Sequence, residues 1–177
     1  MAKNKGISGH HNSTVIGNND EWLTPPSIIK SLGHFDLDPC APIIRPWDMA
    51  GKHYTIEDDG LFLPWEGRIW LNPPYGKTMD MSLNKMALHG DGIALTFART
   101  DTNAFHNYVF RHASSIFFLK GRLTFYQVDG TPGDFNGGAP SCLIAYGKNN
   151  VDAIDHARLK GKHLFIKRII PQKLPPS

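Results

Sequence analysis

Arg68-Ile69-Trp70-Leu71-Asn72-Pro73-Pro74-Tyr75-Gly76 is the stretch on which the fold turns. Its first four residues have the apolar, β-branched and aromatic character of a strand. Pro73 and Pro74 lack N–H donors, so no sheet ladder continues past Leu71. The strand must end on a turn that carries an amide, two fixed carbonyls and an aromatic ring. Beyond it, Thr78 is placed to cap a helix. Met79, Leu83, Met86 and Ala87 share one face of that helix, and Gly90 ends it. Gly92-Ile93-Ala94-Leu95-Thr96-Phe97 is apolar almost throughout, as in a central strand buried on both faces. Strand, helix, buried strand is the grammar of an α/β sheet.

Upstream, Thr24 can cap a short helix that opens with Pro25 and Pro26 and buries Ile28, Ile29 and Leu32 before Gly33. Phe35-Asp36-Leu37-Asp38-Pro39 alternates and stops at a proline, which predicts a strand entering a loop. Tyr54-Thr55-Ile56 is a short β-prone run before the acidic cluster Glu57-Asp58-Asp59. Downstream, a helix is expected over 102–112, with Phe105 and Val109 inward. Strands are expected over 115–119, 123–127 and 142–146. A Gly/Pro-rich loop fills 129–140, a length that usually signals function or mobility. A short helix and an edge strand over 163–170 close the chain.

The fold class that follows is α/β, with a mostly parallel sheet ending in an antiparallel pair. Residues 1–20 are polar and without periodicity, and are expected to be a flexible tail; 21–177 are expected to form one domain. In such sheets ligands bind at the carboxyl ends of the strands. The unusual residues lie there: Asp38-Pro39, the acidic cluster, Asn72 to Tyr75, and Arg99.

Composition narrows the function classes. The 177 residues are 41% hydrophobic and 20% charged, an ordinary globular balance that argues against whole-chain disorder. No apolar run approaches the roughly 20 residues of a membrane span. The N-terminus lacks the apolar region of a secretory signal. Cys40 and Cys142 therefore read as reduced thiols of a cytoplasmic protein. The nine histidines show no metal-binding spacing, so no metal is expected. A net charge of +3 permits a polyanionic partner without establishing one.

Asn-Pro-Pro-Tyr carries the chemistry. Average composition would place it by chance in roughly one chain of this length in a few thousand. An amino group on a planar ring or amide is a poor nucleophile, because its lone pair is delocalised. Two acceptors aimed at its N–H groups can hold it where the pair is localised. Asn72 Oδ1 is one; the Pro73 carbonyl, aimed by the fixed φ of proline, is the other. Tyr75 offers a face on which a planar substrate stacks. Such a site works by positioning and preorganised electrostatics.

An ordered set surrounds it: Glu21-Trp22-Leu23-Thr24-Pro25-Pro26, Phe35 to Ala41, Asp58-Asp59-Gly60-Leu61, Trp65, Asn72 to Gly76, Arg99-Thr100-Asp101, Phe105-His106, and Lys120 to Phe125. Over residues 21–146 this resembles the phage and bacterial Dam-like DNA N6-adenine methyltransferases. The resemblance implies a Rossmann-like methyltransferase fold, S-adenosylmethionine as methyl donor, and adenine in double-stranded DNA as acceptor. It implies a catalytic motif at Asn72, Pro73, Pro74 and Tyr75. It implies cofactor contacts at Thr24, Pro25, Asp38, Pro39, Cys40, Ala41, Asp58, Asp59, Gly60, Leu61 and Asn72. The sequence departs from the broader methyltransferase class in having Asp-Pro-Cys-Ala where a Gly-x-Gly loop is usual. The span from Asp38 to Asn72 is also short.

No insertion is long enough for a separate recognition domain, so target recognition is expected from loop 121–140. A base within a duplex must be flipped out to reach Asn72, at about a few kcal/mol. Lys77, Arg99, Lys120 and Arg122 are candidate phosphate contacts. Cys40 follows a proline, as does the nucleophile of cytosine-C5 methyltransferases. No Glu-Asn-Val partner motif accompanies it, so a packing or cofactor-lining thiol is expected. Trp22, Trp65, Trp70 and Phe105 read as core, and His106 as a surface residue. The same motif chemistry suits RNA amino groups or protein glutamine amides, and a catalytically inactive DNA-binding relic is the alternative outside enzymes.

Overall fold

A computed structural model describes residues 21–133 and 137–167. The elements run α1 (Pro26–Leu32), β1 (Leu37–Asp38), β2 (Lys52–His53), β3 (Ile69–Leu71), α2 (Lys77–His89), β4 (Gly92–Phe97), a π-helical turn (Phe105–Val109), β5 (Ser115–Leu119), β6 (Ser141–Tyr146), α3 (Lys148–His156) and β7 (Gly161–Phe165). The sheet order is β2-β1-β3-β4-β6-β5-β7.

The strand after which Asn72 falls is wholly buried, and alternation sorts its side chains between two cores. Ile69 and Leu71 pack with Leu83 and Met86 of α2 and with Phe105 and Val109 of the π-helical turn. Trp70 points the other way, among Phe35, Ile28 and Leu32 of the α1 region, Leu143 of β6 and Ile154 of α3. The same alternation separates Ala94 from Ile93 and Leu95. Gly92 is required where β3 and α2 converge: a Cβ there would lie 2.3 Å from the Ile69 carbonyl oxygen and 2.5 Å from Met86 Cε. Arg68 ties the layers together. Its Nε donates to Asn150 Oδ1 at 2.7 Å, and one terminal nitrogen donates to the carbonyls of Leu32 and His34.

The α/β class holds, but the sheet is parallel only at one end. β2, β1, β3 and β4 pair in parallel. β6 runs antiparallel to both β4 and β5, and β7 is antiparallel to β5. The antiparallel part is thus larger than one pair. Among the described residues the link from β5 to β6 holds no crossover helix, which permits antiparallel pairing.

Local expectations fared unevenly, for identifiable reasons. Neither Thr24 nor Thr78 caps a helix. The N-caps are Pro25 and Gly76, with no side-chain bond, and Thr24 is buried. Tyr54 to Ile56 is not a strand, because Asp58 Oδ2 accepts from both the N–H and hydroxyl of Thr55 and starts a turn. Over 102–112 the helix is shorter than expected: helical backbone runs over 103–109, its last five residues as a π-helical turn closed by the Phe110 N–H to the Phe105 carbonyl, and Phe105 and Val109 are buried as expected. Residues 123–127 do not join the sheet. Tyr126 instead forms isolated bridges to Leu23 and Pro132. The edge strand is β7, starting two residues earlier than expected. Readings that fall on 1–20, 134–136 and 168–177 lie outside the described residues. Between β1 and β3 the chain forms β2 and turns but no helix, which accounts for the short span from Asp38 to Asn72.

Candidate active site

Parallel strands leave their carboxyl ends on one edge, and there the turns after β1 and β3 and the end of β4 surround a cavity of about 670 Å³. That size suits a cofactor or drug-sized ligand. Pro39, Cys40 and Ala41 line it from β1; Asn72, Pro73, Pro74 and Tyr75 from β3; Phe97 from β4. Asp59, Gly60 and Leu61 form another wall, and Trp22, Phe125 and Gln127 close the far side.

The Asn72 amide is anchored. Its Nδ2 donates to the Trp22 carbonyl at 3.1 Å, which leaves Oδ1 as the amide's free acceptor. Tyr75 stacks on Phe97, with ring centroids 4.5 Å apart and planes 17° from parallel. Tyr75 remains 51% exposed, so a second planar group has ring surface to cover. Partial burial pushes its phenol above the ordinary range; the positive charge of Arg99 pulls it back. The phenol is therefore neutral at physiological pH.

The wall at 59–61 is held from behind. The Gly60 carbonyl accepts from Trp65 Nε1 at 2.8 Å, and Lys85 Nζ donates to the carbonyls of Leu61 and Leu63. Gly60 has no room for a side chain: a Cβ would lie 2.4 Å from the Pro39 carbonyl oxygen. The β1 turn and the acidic loop therefore touch backbone to backbone. Of the acidic cluster, Asp58 is engaged with Thr55, whose hydrogen bonds hold its carboxyl below the usual range. Asp59 faces the cavity.

Asp38 is 1% exposed and does not line the cavity. Its Oδ1 accepts the Cys40 N–H at 3.0 Å. Burial pushes its carboxyl up to about 7, against that hydrogen bond and the charge of Arg45. Burial, and then the Asp38 charge, pushes the Cys40 thiol up to about 12, so it stays protonated at neutral pH. A thiol held in that state suits a packing role and not a nucleophile.

The structure thus brings Pro39, Cys40, Ala41, Asp59, Gly60, Leu61 and Asn72 to Tyr75 into one cavity. Thr24, Pro25, Asp38 and Asp58 stand outside its lining. Arg99, Lys120 and Arg122 are exposed, and Lys77 is the first residue of α2. Trp22 is corrected from a core residue to a cavity wall; it is 41% exposed, whereas Trp65 and Trp70 are buried. Trp22, Phe97, Phe125 and Gln127 were not read as site residues. For Trp22, Phe97 and Phe125 only aromatic character was visible, and that signals core as readily as stacking; Gln127 carried no signal of its own.

The family described as DNA N-6-adenine-methyltransferase (Dam) matches residues 11–158 of this chain. No curated protein and no solved structure matches it.

Proposed function

Starting from a chain that belongs to the DNA N-6-adenine-methyltransferase (Dam) family, we propose that this cavity transfers a methyl group from S-adenosylmethionine to adenine N6 in double-stranded DNA. The observation that carries the reading is the Asn72 amide. Its donor is bound to the Trp22 carbonyl, and its acceptor is left free beside an exposed aromatic stack.

The lining fits the cofactor chemically. Asp59 supplies a carboxylate for an amino group, Pro39 to Ala41 a short backbone turn, and Gly60 and Leu61 an uncluttered wall. Asp38 supports that turn through the Cys40 N–H, and Asp58 holds the turn that presents Asp59. Thr24 and Pro25 follow directly on the segment that anchors Asn72. When bound, S-adenosylmethionine supplies an electrophilic methyl carbon.

This chain's residues prepare the acceptor. The target adenine leaves the duplex, at about a few kcal/mol, and stacks on the Tyr75 face away from Phe97. Asn72 Oδ1 accepts one N6 proton and the Pro73 carbonyl the other, aligning the lone pair for in-line attack. The amino group becomes cationic on transfer, so its proton is acidic enough to pass to water without a strong base. Loop 121–140 reads the target. Arg99, Lys120, Arg122 and Lys77 contact phosphates and offset the flipping penalty.

The test is product analysis. Purified protein is incubated with unmethylated DNA and methyl-labelled S-adenosylmethionine, with Asn72→Ala in parallel, and the digested nucleosides are identified by mass spectrometry. N6-methyladenine from the wild type, reduced at least 100-fold in the variant, is the expected outcome; loss of one preorganised polar contact at a reacting centre is worth about 10²–10³. No label in DNA, with cofactor binding intact, refutes DNA as acceptor and directs the search to RNA amino groups or glutamine amides.

A further inference from the structure

The carboxyl edge of the sheet is electrically lopsided. On the β1–β2 side, Asp59 lines the cavity, and the exposed Glu57 and Asp58 precede it in the same loop. On the other side a row of exposed cations runs outward: Arg99 after β4, Lys120 and Arg122 after β5, then Arg158, Lys160 and Lys162 around the start of β7. Register places them on one edge. Thr96 pairs with Cys142, Cys142 with Phe118, and Phe118 with Lys162. The Lys120 N–H donates to the Lys160 carbonyl at 2.8 Å, which brings the two turns together. None of the six cations forms an ion pair among the described residues. The nearby Asp155 carboxylate is turned to His163 at 3.2 Å.

We propose that Arg158, Lys160 and Lys162 form a second phosphate-contact platform, which holds the DNA duplex on one side of the target base. The inference rests on the DNA-methyltransferase reading of the cavity. It adds β7, of which no part falls within the family match over 11–158. Cations in a row, with no ion pair among the described residues, fit a polyanion, and the acidic loop at 57–59 repels the same polyanion from the opposite side. The duplex therefore lies over the β4–β7 half. From β3, which delivers Asn72, to β7 there are four strand spacings. At about 4.8 Å each, that is about 19 Å. Along a duplex rising about 3.4 Å per base pair, the platform meets DNA about six base pairs from the target.

The test measures affinity of the full chain for adenine-containing duplexes by fluorescence anisotropy, between 50 and 200 mM salt. The duplexes are shortened stepwise on either side of the target. Lys160→Ala/Lys162→Ala is compared with wild type and with Lys160→Arg/Lys162→Arg. Each lost phosphate contact lowers the slope of log affinity against log salt by about 0.9. Over a fourfold change in salt, the wild type should lose about twelvefold more affinity than the alanine variant. The arginine variant should match the wild type. The wild type should weaken when one arm, and not the other, falls below about six base pairs, and the alanine variant should not respond. An alanine variant with native circular dichroism and an unchanged slope overturns the platform while leaving the cavity's function standing. The same holds if both arms matter equally. A wild type that binds duplex RNA but no DNA overturns this inference and the DNA reading together.

Discussion

Replacing Asp38 by Asn removes a buried charge while keeping an oxygen to accept the Cys40 N–H. In the unfolded chain this carboxyl titrates near 3.8; in the folded protein burial raises it to about 7. Between those values the folded state holds a proton that the unfolded state has lost, so stability falls as pH rises. The contribution is fully present below about pH 4 and gone above about pH 7. A gap of about three units at 1.36 kcal/mol each amounts to about 4 kcal/mol. For a chain of this size that corresponds to a Tm change on the order of 10 °C. Asp38→Asn should therefore match the wild type near pH 4 and exceed it progressively, reaching that difference at pH 8. Differential scanning calorimetry at half-unit steps isolates the effect, because the other titrating groups are common to both proteins. A pH-independent difference, or a variant less stable at pH 8, would refute the claim that Asp38 is a desolvated carboxyl. It would indicate that a carboxylate at this position is satisfied by its surroundings.

Three further outcomes are expected. Tyr75→Phe should retain activity, since the phenol stays neutral and only the ring is used. Tyr75→Ala should weaken DNA containing the target adenine by the roughly 1–3 kcal/mol of one base–aromatic stack, about 5- to 150-fold, by anisotropy. Gly60→Ala should lower stability by about 1–3 kcal/mol in urea denaturation, because its Cβ meets the Pro39 carbonyl at 2.4 Å and backbone must move. Cys40 should react with iodoacetamide at pH 8 far more slowly than a free thiol, since its pKa is pushed up to about 12. Rapid labelling with the fold intact would count against that environment.

What was legible in the sequence followed from backbone restriction and burial periodicity. Ile69 to Leu71 and Gly92 to Phe97 are buried strands because their apolar runs admit no other solution, and the prolines after Leu71 end β3 by removing donors. That Thr24 and Thr78 cap neither helix was not legible. A hydroxyl near a helix start can cap, and whether it does depends on what else packs there. The segment over 123–127 has strand composition, yet pairs with Leu23 and not the sheet, because β-propensity does not name a partner.

The sequence by itself determined the Asn-Pro-Pro-Tyr motif, the strand that presents it and the family to which the chain belongs. Those depend on residue type and short-range order. Tertiary structure alone decided which groups meet. Asn72 is oriented by Trp22, fifty residues earlier, and Tyr75 lies on Phe97 from the neighbouring strand. Asp59 rather than Asp58 faces the cavity, because the Asp58 carboxylate is bound to Thr55. Lys160 and Lys162 reach the edge that holds the cavity only because β7 adds beyond β5. Contacts between residues far apart in sequence depend on the register and order of strands. Those are set by the collective fit of the core, and no local pattern in the chain encodes them.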